Sequence, residues 1–467
     1  MSKQTFHIGG IHPADKKISR DCAIEALPIP PTVYISLSQH IGAPAKPIVA
    51  VGDKVKTGQP VAEPGGFVSA WIHSSVSGTV KSIGPRKDLS GKSVPSIEIA
   101  VEGDEWIEEV DLSDTLVTEF PEDNKAIMAK ITSGGIVGLG GATFPTHVKL
   151  SPPPGQKCER LIINGCECEP YLTCNYRYLL ERGEQVAVGV AILMQVLGVK
   201  DATIAIEDNK PEDIAHMKDV VAKLAAKSDK FRGIEIMPMM TKYPEGGEKQ
   251  LIDAVMNRQV ASGGLPISVG AVVQNVATAY AVYEAVQKNK PLVSNTLTYT
   301  GDCVATQHNY EVRVGTPLSF IIECAGGMPQ DAAKVISGGP MMGRAVSNLD
   351  AATVKGTSGL LFLTAAQTKR APATACIRCG SCADACPMGL EPFLLKRLAL
   401  AGDLDGLEQN AMQDCISCGS CQYSCPASIP LLDIMTQGKA KVMGVMKARA
   451  AAAKAAAEAK AAATSAK

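Results

Sequence analysis

The sequence predicts a multidomain α/β chain. It reads as an extended arm over 1–31, an all-β domain over 32–115, an α/β domain over 116–290, a small β-rich domain over 291–366, a helical cysteine module over 367–437 and an Ala/Lys-rich tail over 438–467. Three observations carry this. Short β-branched runs between turn residues fill much of the first hundred positions, apolar strands alternate with helical patterns in the middle, and two dense cysteine runs lie near the C-terminus. A chain of 467 residues with 46% hydrophobic content has ample material for several cores.

Charge and hydropathy narrow the functional classes. A net charge of −1 supplies no basic field, which argues against nucleic-acid or anionic-membrane binding. The most apolar run, residues 186–199, contains Gln195 and is too short for a bilayer, so no transmembrane segment of its own is expected and membrane association would come through partners. The start, Met-Ser-Lys-Gln-Thr-Phe-His, lacks the layout of a secretory signal, and unprotected cluster thiolates suit a reducing compartment; the expectation is the cytoplasm.

The arm is punctuated by Gly9-Gly10, Pro13 and Pro28-Ile29-Pro30-Pro31. His7 and His12 have no cysteine or carboxylate cluster beside them and read as packing or hydrogen-bonding residues. The all-β domain rests on Val33-Tyr34-Ile35 and on residues 48–53, 58–61 and 76–80. In the α/β domain, strands are expected at Arg160–Asn164 and 202–206, and helices at 182–197 and 214–226; such sheets bind ligands at the carboxyl ends of their strands. Beyond Pro291, the runs 297–300 and 318–322 read as strands, with Cys303 and Cys324 as small buried hydrophobes. The tail, Ala-rich with little to bury, reads as a solvent-exposed helix or a disordered extension.

The two cysteine runs are the most specific signal. Cys376, Cys379, Cys382 and Cys386-Pro387 repeat as Cys415, Cys418, Cys421 and Cys425-Pro426, each in the spacing C-x2-C-x2-C-x3-C-P that holds 4Fe-4S clusters. In that arrangement three thiolates of one run serve one cube and the fourth reaches the other. One cluster is therefore expected on Cys376, Cys379, Cys382 and Cys425, and the second on Cys415, Cys418, Cys421 and Cys386. Zinc would often recruit histidine, and none lies between Cys376 and Cys425; the duplicated spacing is also a poor disulfide framework. The intervening stretches 390–400 and 404–412 carry helical patterns, so the module should be helical.

A second loaded stretch is glycine-rich: Gly134-Gly135-Ile136-Val137-Gly138-Leu139-Gly140-Gly141-Ala142-Thr143-Phe144-Pro145, with Lys149 beyond it. Glycines let backbone amides approach a phosphate, and the lysine adds a cation. Alone, such a loop reads equally well as a tight structural turn, and it has neither the dinucleotide fingerprint placement nor the lysine of a P-loop. The odds rise with Asn164-Gly165-Cys166-Glu167-Cys168-Glu169-Pro170, a carboxylate pair that follows a strand. Cys166, Cys168 and Cys174 match no common ligand spacing and read as packing thiols.

Taken with Gly247-Glu248 and Gln274-Asn275-Val276-Ala277-Thr278, these motifs resemble the flavin- and NADH-binding subunit of respiratory complex I. The β domain around 51–59 and 76–80 resembles the biotinyl/lipoyl barrel-sandwich family, though residues 63–75 contain no lysine and a carrier role is not expected. Residues 297–322 resemble a β-grasp (SLBB-like) domain, read as scaffold, with Gly338-Gly339-Pro340-Met341-Met342-Gly343 after it. In this order, and with the cysteine runs last, the chain resembles the RnfC family of Rnf electron-transport complexes over everything except the tail.

The resemblance implies a barrel-sandwich domain, a Rossmann-like FMN/NADH domain, a β-grasp domain and a helical two-4Fe-4S ferredoxin module. It implies noncovalent FMN on Gly138, Gly140, Gly141 and Phe144, with Lys149, Asn164, Asn275 and Thr278 around it. NAD(H) would stack on the flavin beside Glu167, Glu169, Glu248 and Glu207. It further implies a peripheral subunit on the cytoplasmic side of the cell membrane, partnered by the other subunits of a redox-driven ion pump, including a ferredoxin-type cluster subunit. Cys166 and Cys168 depart from the complex I pattern, as do Val137 and Leu139 where an arginine is usual. A diaphorase subunit of a soluble oxidoreductase and a cluster-only electron-transfer adaptor are the alternatives.

Overall fold

The centre of the molecule is a four-stranded parallel sheet in the order Ile234–Met239, Ala202–Glu207, Arg160–Asn164, Ala271–Asn275. Its inner strands are buried through their middles, with Leu161-Ile162-Ile163 and Ile204-Ala205-Ile206, because helices cover both faces. On one face pack Asn124–Ser133, Gly183–Leu197, Pro211–Lys227 and Val276–Gln287, around Ile163, Val190, Ile204 and Val282. Gly189 lets two of these helices meet: a Cβ there would sit 1.9 Å from the Ala279 carbonyl oxygen. The other face holds the helix Glu248–Met256 and Phe6 of the arm. The strands' carboxyl ends bring Asn164, Glu207 and Asn275 to one rim of the sheet. A computed structural model describes residues 4–465, with side chains through 457; positions 1–3 of the expected arm and 466–467 of the expected tail lie outside the described residues.

The N-terminal β domain packs a sheet of Thr32–Ser36, Ser93–Gly103, Ser77–Lys87 and Lys54–Val55 against a smaller one of Lys46–Pro47, Pro60–Glu63 and Ile72–His73. Val33, Ile35, Val61, Ile72, Val80, Ile97 and Ile99 fill the space between them. Of the expected run 48–53, none is strand: Ile48 and Val51 are exposed, and Gly52 turns the chain.

The third domain is a six-stranded mixed sheet, and two expectations change here. Part of the arm is not merely extended, because Ile24–Ala26 pairs in parallel with His308–Arg313 and becomes an edge strand of this sheet. Residues 318–322 form a helix, Leu318–Cys324, instead of a strand. Pro317 starts it, and Leu318, Ile321 and Ile322 are buried at the i, i+3, i+4 spacing of a helical face, which a five-residue apolar run does not distinguish from a strand.

The cysteine module is helical: Ser381–Asp384, Pro392–Ala401, Leu404–Gln409 and Ser420–Tyr423, closed by the long helix Leu431–Ser465. This last helix runs through the expected boundary at 438. Its first turns bury Leu431 against Ala427 and Ile429, and Met435 and Val442 against Leu395, Leu407 and Met412, so they belong to the module and only the later turns are tail. Truncation after Lys447 should therefore leave iron content unchanged, whereas truncation after Gly438 should destabilise cluster loading; iron assay of both proteins checks this. Among the described residues no helix is long and apolar enough to cross a membrane.

Candidate flavin crevice and cysteine centre

The glycine loop crosses the rim of the central sheet. The Gly138 amide donates to the Phe144 carbonyl at 2.9 Å, closing the loop on itself, and the Leu139 amide donates to Thr278 Oγ1 at 2.9 Å. Thr278 is fully buried and thus holds the loop from beneath. Gly140 faces Asn275, and a Cβ on Gly140 would lie 3.5 Å from that side chain; Gly141 adopts φ 106° with open space on its Cβ side. Asn275 Oδ1 caps the helix Val276–Gln287 by accepting from the Ala277 amide at 2.9 Å. Lys149 Nζ donates to Glu248 Oε1 at 2.5 Å and to the Val273 carbonyl at 2.8 Å. Asn164 holds the next loop, donating to the Gly246 carbonyl at 2.8 Å and accepting from the Cys166 amide at 3.0 Å. Gly138, Gly140, Gly141, Phe144, Lys149, Asn164, Glu248, Asn275 and Thr278 thus gather on one side of the sheet rim. Open glycine backbone, a lysine and amide side chains suit a flavin phosphate and ring.

The other acidic residues are engaged elsewhere. Glu167, buried, accepts from the Asn175 amide at 2.9 Å and the Tyr176 amide at 3.3 Å, so its carboxylate caps the helix Cys174–Glu181. Lys210 lies 3.8 Å from Glu167 and 3.4 Å from Glu207, all three nearly sealed from solvent. Lys17 of the arm donates to the carbonyls of Glu167, Glu169 and Leu172 at 2.6, 2.9 and 2.7 Å. Burial disfavours the Lys210 charge, but Glu207, Glu167 and Asp213 outweigh it and hold the ammonium above its ordinary range. Burial pushes Asp213 up to about 8 despite Lys210. Two lysines therefore face two carboxylates in a closed network, and Glu167 and Glu207 do not open into the crevice as lining residues would. Glu169 accepts from the Met341 and Met342 amides at 3.0 and 2.7 Å, which ties it to the 338–343 loop; burial raises it to about 7.

The two cysteine runs share a backbone turn: Arg378 and Ser417 take φ 57° and 54°, and Gly380 and Gly419 take 81° and 80°, just before the short helices Ser381–Asp384 and Ser420–Tyr423. Cys386, Cys415, Cys418 and Cys421 line one hollow walled by Leu390, Leu432 and Met435. Three thiols from the second run thus meet the last thiol of the first. Burial pushes the free thiols of Cys386 and Cys418 up, and Cys421 to about 12; metal binding would deprotonate them. Cys382 and Cys425 pack against the same apolar cluster of Ala427, Ile429 and Leu431, while Cys376 and Cys379 are exposed. Among the described residues no group of three His, Cys, Asp or Glu closes tightly around a single metal ion. A four-thiol hollow suits the wider corners of an iron–sulfur cube.

The two sets differ in their neighbours. Tyr243 Oη donates to the Cys418 carbonyl at 2.8 Å, Gln250 Nε2 to the Pro387 carbonyl at 3.0 Å, and the Gly10 amide to the Ala385 carbonyl at 3.1 Å. Cys168 packs with Tyr243, Met341 and Cys418, whereas Cys166 and Cys174 are buried within the α/β domain. The set on Cys386, Cys415, Cys418 and Cys421 therefore abuts the α/β domain, and the other set lies toward solvent. Lys17, Lys210 and Tyr243 were not among the expected site residues. Each joins partners far apart in the chain, and no motif marks any of them.

Four family models match in chain order. The RnfC barrel sandwich hybrid domain covers 4–104, the Nuo51 FMN-binding domain 131–284, the SLBB domain 297–345 and the 4Fe-4S dicluster domain 375–429. The chain is 45% identical to the C subunit of the proton-translocating ferredoxin:NAD(+) oxidoreductase complex of Clostridium ljungdahlii, over 84% of this chain and 83% of that one. It is 42% identical to the C subunit of the ion-translocating oxidoreductase complex of Rhodobacter capsulatus, over 94% and 84% of the two chains. It is 40% identical to the C subunit of the Na(+)-translocating ferredoxin:NAD(+) oxidoreductase complex of Acetobacterium woodii, over 87% and 90%. In fold it is similar to a chain of an H2-reduced, NAD+-reducing NiFe-hydrogenase, with a TM-score of 0.51 and 20% identity over 70% of this chain and 66% of that one.

Proposed function

Because this chain belongs to the RnfC family of ion-translocating oxidoreductases, we propose that it exchanges electrons between NAD(H) and the other subunits of a membrane-bound ferredoxin:NAD+ oxidoreductase. It would do so as a peripheral subunit on the cytoplasmic side, through FMN and two 4Fe-4S clusters. The observation that carries this reading is the placement of one four-cysteine hollow against the domain that holds the glycine crevice, with the second cysteine set beyond it.

The residues fit the groups. Gly138, Gly140, Gly141 and Phe144 would present backbone to FMN, Lys149 would offer its ammonium, and Asn164 and Asn275 would border the ring. Thr278 acts from below by fixing the Leu139 amide. Glu248, half-exposed beside Lys149, is the carboxylate best placed to meet a nicotinamide nucleotide, and Glu169 follows it through the 338–343 loop. Glu167 and Glu207 serve the reading indirectly, by fixing the strand-to-helix turn with Lys17 and Lys210. When bound, FMN accepts a hydride's electron pair and returns electrons singly, the form that iron–sulfur clusters take. The chain's own contribution is the order of sites. The ligands Cys386, Cys415, Cys418 and Cys421 stand between the crevice and the exposed set of Cys376, Cys379, Cys382 and Cys425.

Anaerobic purification should give about eight irons and one FMN per chain, with flavin and cluster absorbance bleached by NADH. Eight irons with no flavin and no response to NADH would leave a cluster-only adaptor instead.

A further inference from the structure

Lys355 lies on the segment that enters the strand Gly359–Thr364 of the six-stranded domain and is 1% exposed. Its Nζ donates to the Trp71 carbonyl at 2.7 Å and to the Gly135 carbonyl at 2.8 Å. Trp71 belongs to the N-terminal β domain and Gly135 to the base of the glycine loop, so one ammonium ties three domains together. Among the described residues it has no paired carboxylate, and burial pulls it down to about 7. The titratable groups facing it are His40 and His73, both held below their ordinary range, by burial first and then by Lys355.

A buried ammonium answered only by carbonyls is costly, and the surrounding geometry shows what it secures. Gly135 takes φ 64°, and a Cβ there would lie 2.3 Å from the Trp71 carbonyl oxygen and 2.8 Å from Lys355 Nζ. The next residue, Gly356, meets the far end of the loop: a Cβ on it would sit 2.3 Å from Thr143 Cγ2. Thr143 holds φ 49°, in the left-handed region that threonine seldom adopts. The gripping segment is itself fixed, since the Lys355 amide donates to Gln39 Oε1 at 3.0 Å and Asn295 Nδ2 donates to the Lys355 carbonyl at 3.0 Å. Two consecutive residues of the third domain therefore meet both ends of the glycine loop, Lys355 through a hydrogen bond to Gly135 and Gly356 through close packing on Thr143.

We infer that Lys355 and Gly356 form a clamp that sets the shape of the glycine loop, making Lys355 a positioning residue for the flavin. The inference rests on the flavin reading of that loop. It gives the β-grasp domain, expected to be scaffold, a direct part in the site.

The test is FMN affinity of the cluster-loaded full chain after flavin removal, measured by quenching of FMN fluorescence. Lys355→Met keeps the length and removes both donors. It should weaken FMN binding about tenfold or more, the scale of one lost charged hydrogen bond, while iron content stays unchanged. Thermal unfolding separates this from general damage. With a depressed folded value, the wild-type ammonium destabilises the fold fully below about pH 7, and that penalty is relieved as pH rises toward the unfolded value. The wild type should therefore gain stability relative to K355M between pH 7 and 10, a pH dependence that general damage would not produce. A loaded K355M with wild-type FMN affinity overturns the clamp. If K355M does not load iron, Gly356→Ala decides, since it keeps Lys355 and displaces Thr143: weaker FMN supports the clamp and unchanged affinity overturns it. A wild-type protein that binds no FMN at all overturns the flavin reading instead.

Discussion

Cys418→Ala is expected to remove up to four of about eight irons and to stop NADH from reducing whichever cluster remains, while bound flavin is still bleached. Cys379→Ala should lose a similar amount of iron yet leave one cluster reducible by NADH. The asymmetry comes from the packing. Cys418 is buried in the hollow against the α/β domain, its carbonyl bonded by Tyr243, whereas Cys379 is exposed on the other set. Low-temperature EPR of each variant, reduced first with NADH and then with dithionite, reads out which cluster survives and whether NADH reaches it. If the two variants behave alike, or if NADH reduces a cluster only in C418A, the proposed order of the two sites is wrong.

Replacing Glu167 by alanine should act on the fold before it acts on the chemistry. The substitution removes the cap of the helix Cys174–Glu181 and leaves Lys17 and Lys210 buried with Glu207 as the main compensating carboxylate. Breaking a buried ion pair costs about 3–5 kcal/mol, and a lost helix cap adds about 1 kcal/mol. A drop in the thermal midpoint on the order of 10 °C follows for a domain of this size, with FMN and iron lost together. Glu248→Gln, by contrast, changes a half-exposed carboxylate beside Lys149 and should raise the KM for NADH with little change in the midpoint. Calorimetry together with NADH-dependent ferricyanide reduction separates the two. An E167A protein of wild-type stability that has lost only its response to NADH would restore Glu167 as a nucleotide contact.

Local pattern was enough to read much of this chain. The cysteine spacing marked both runs as a 4Fe-4S dicluster region, because the reach of a thiolate over two or three residues is fixed by the backbone. The helices Gly183–Leu197 and Pro211–Lys227 lay close to where apolar periodicity put them, since each is long enough for its period to show, and the strand Arg160–Asn164 also lay at its expected bounds. The glycine loop and the motif from Asn164 to Glu169 were legible as chemistry, although the direction of each carboxylate was not.

What the tertiary structure decided alone depends on contacts between distant positions. Residues 318–322 are apolar in either a strand or a helix, and only the core they face selects the helix Leu318–Cys324. Glu167 turns inward where Lys210, from another strand's loop, stands beside its carboxylate and Lys17, 150 positions away, binds its backbone carbonyl, and no local pattern encodes that meeting. The order of the two cysteine sets rests on Tyr243 and Gln250 reaching Cys418 and Pro387, and the grip on the glycine loop rests on Lys355 spanning three domains. Sequence spacing sets what a short segment can bind, whereas packing across the whole chain sets which way a buried charge must face, because an uncompensated charge is too costly to leave without partners.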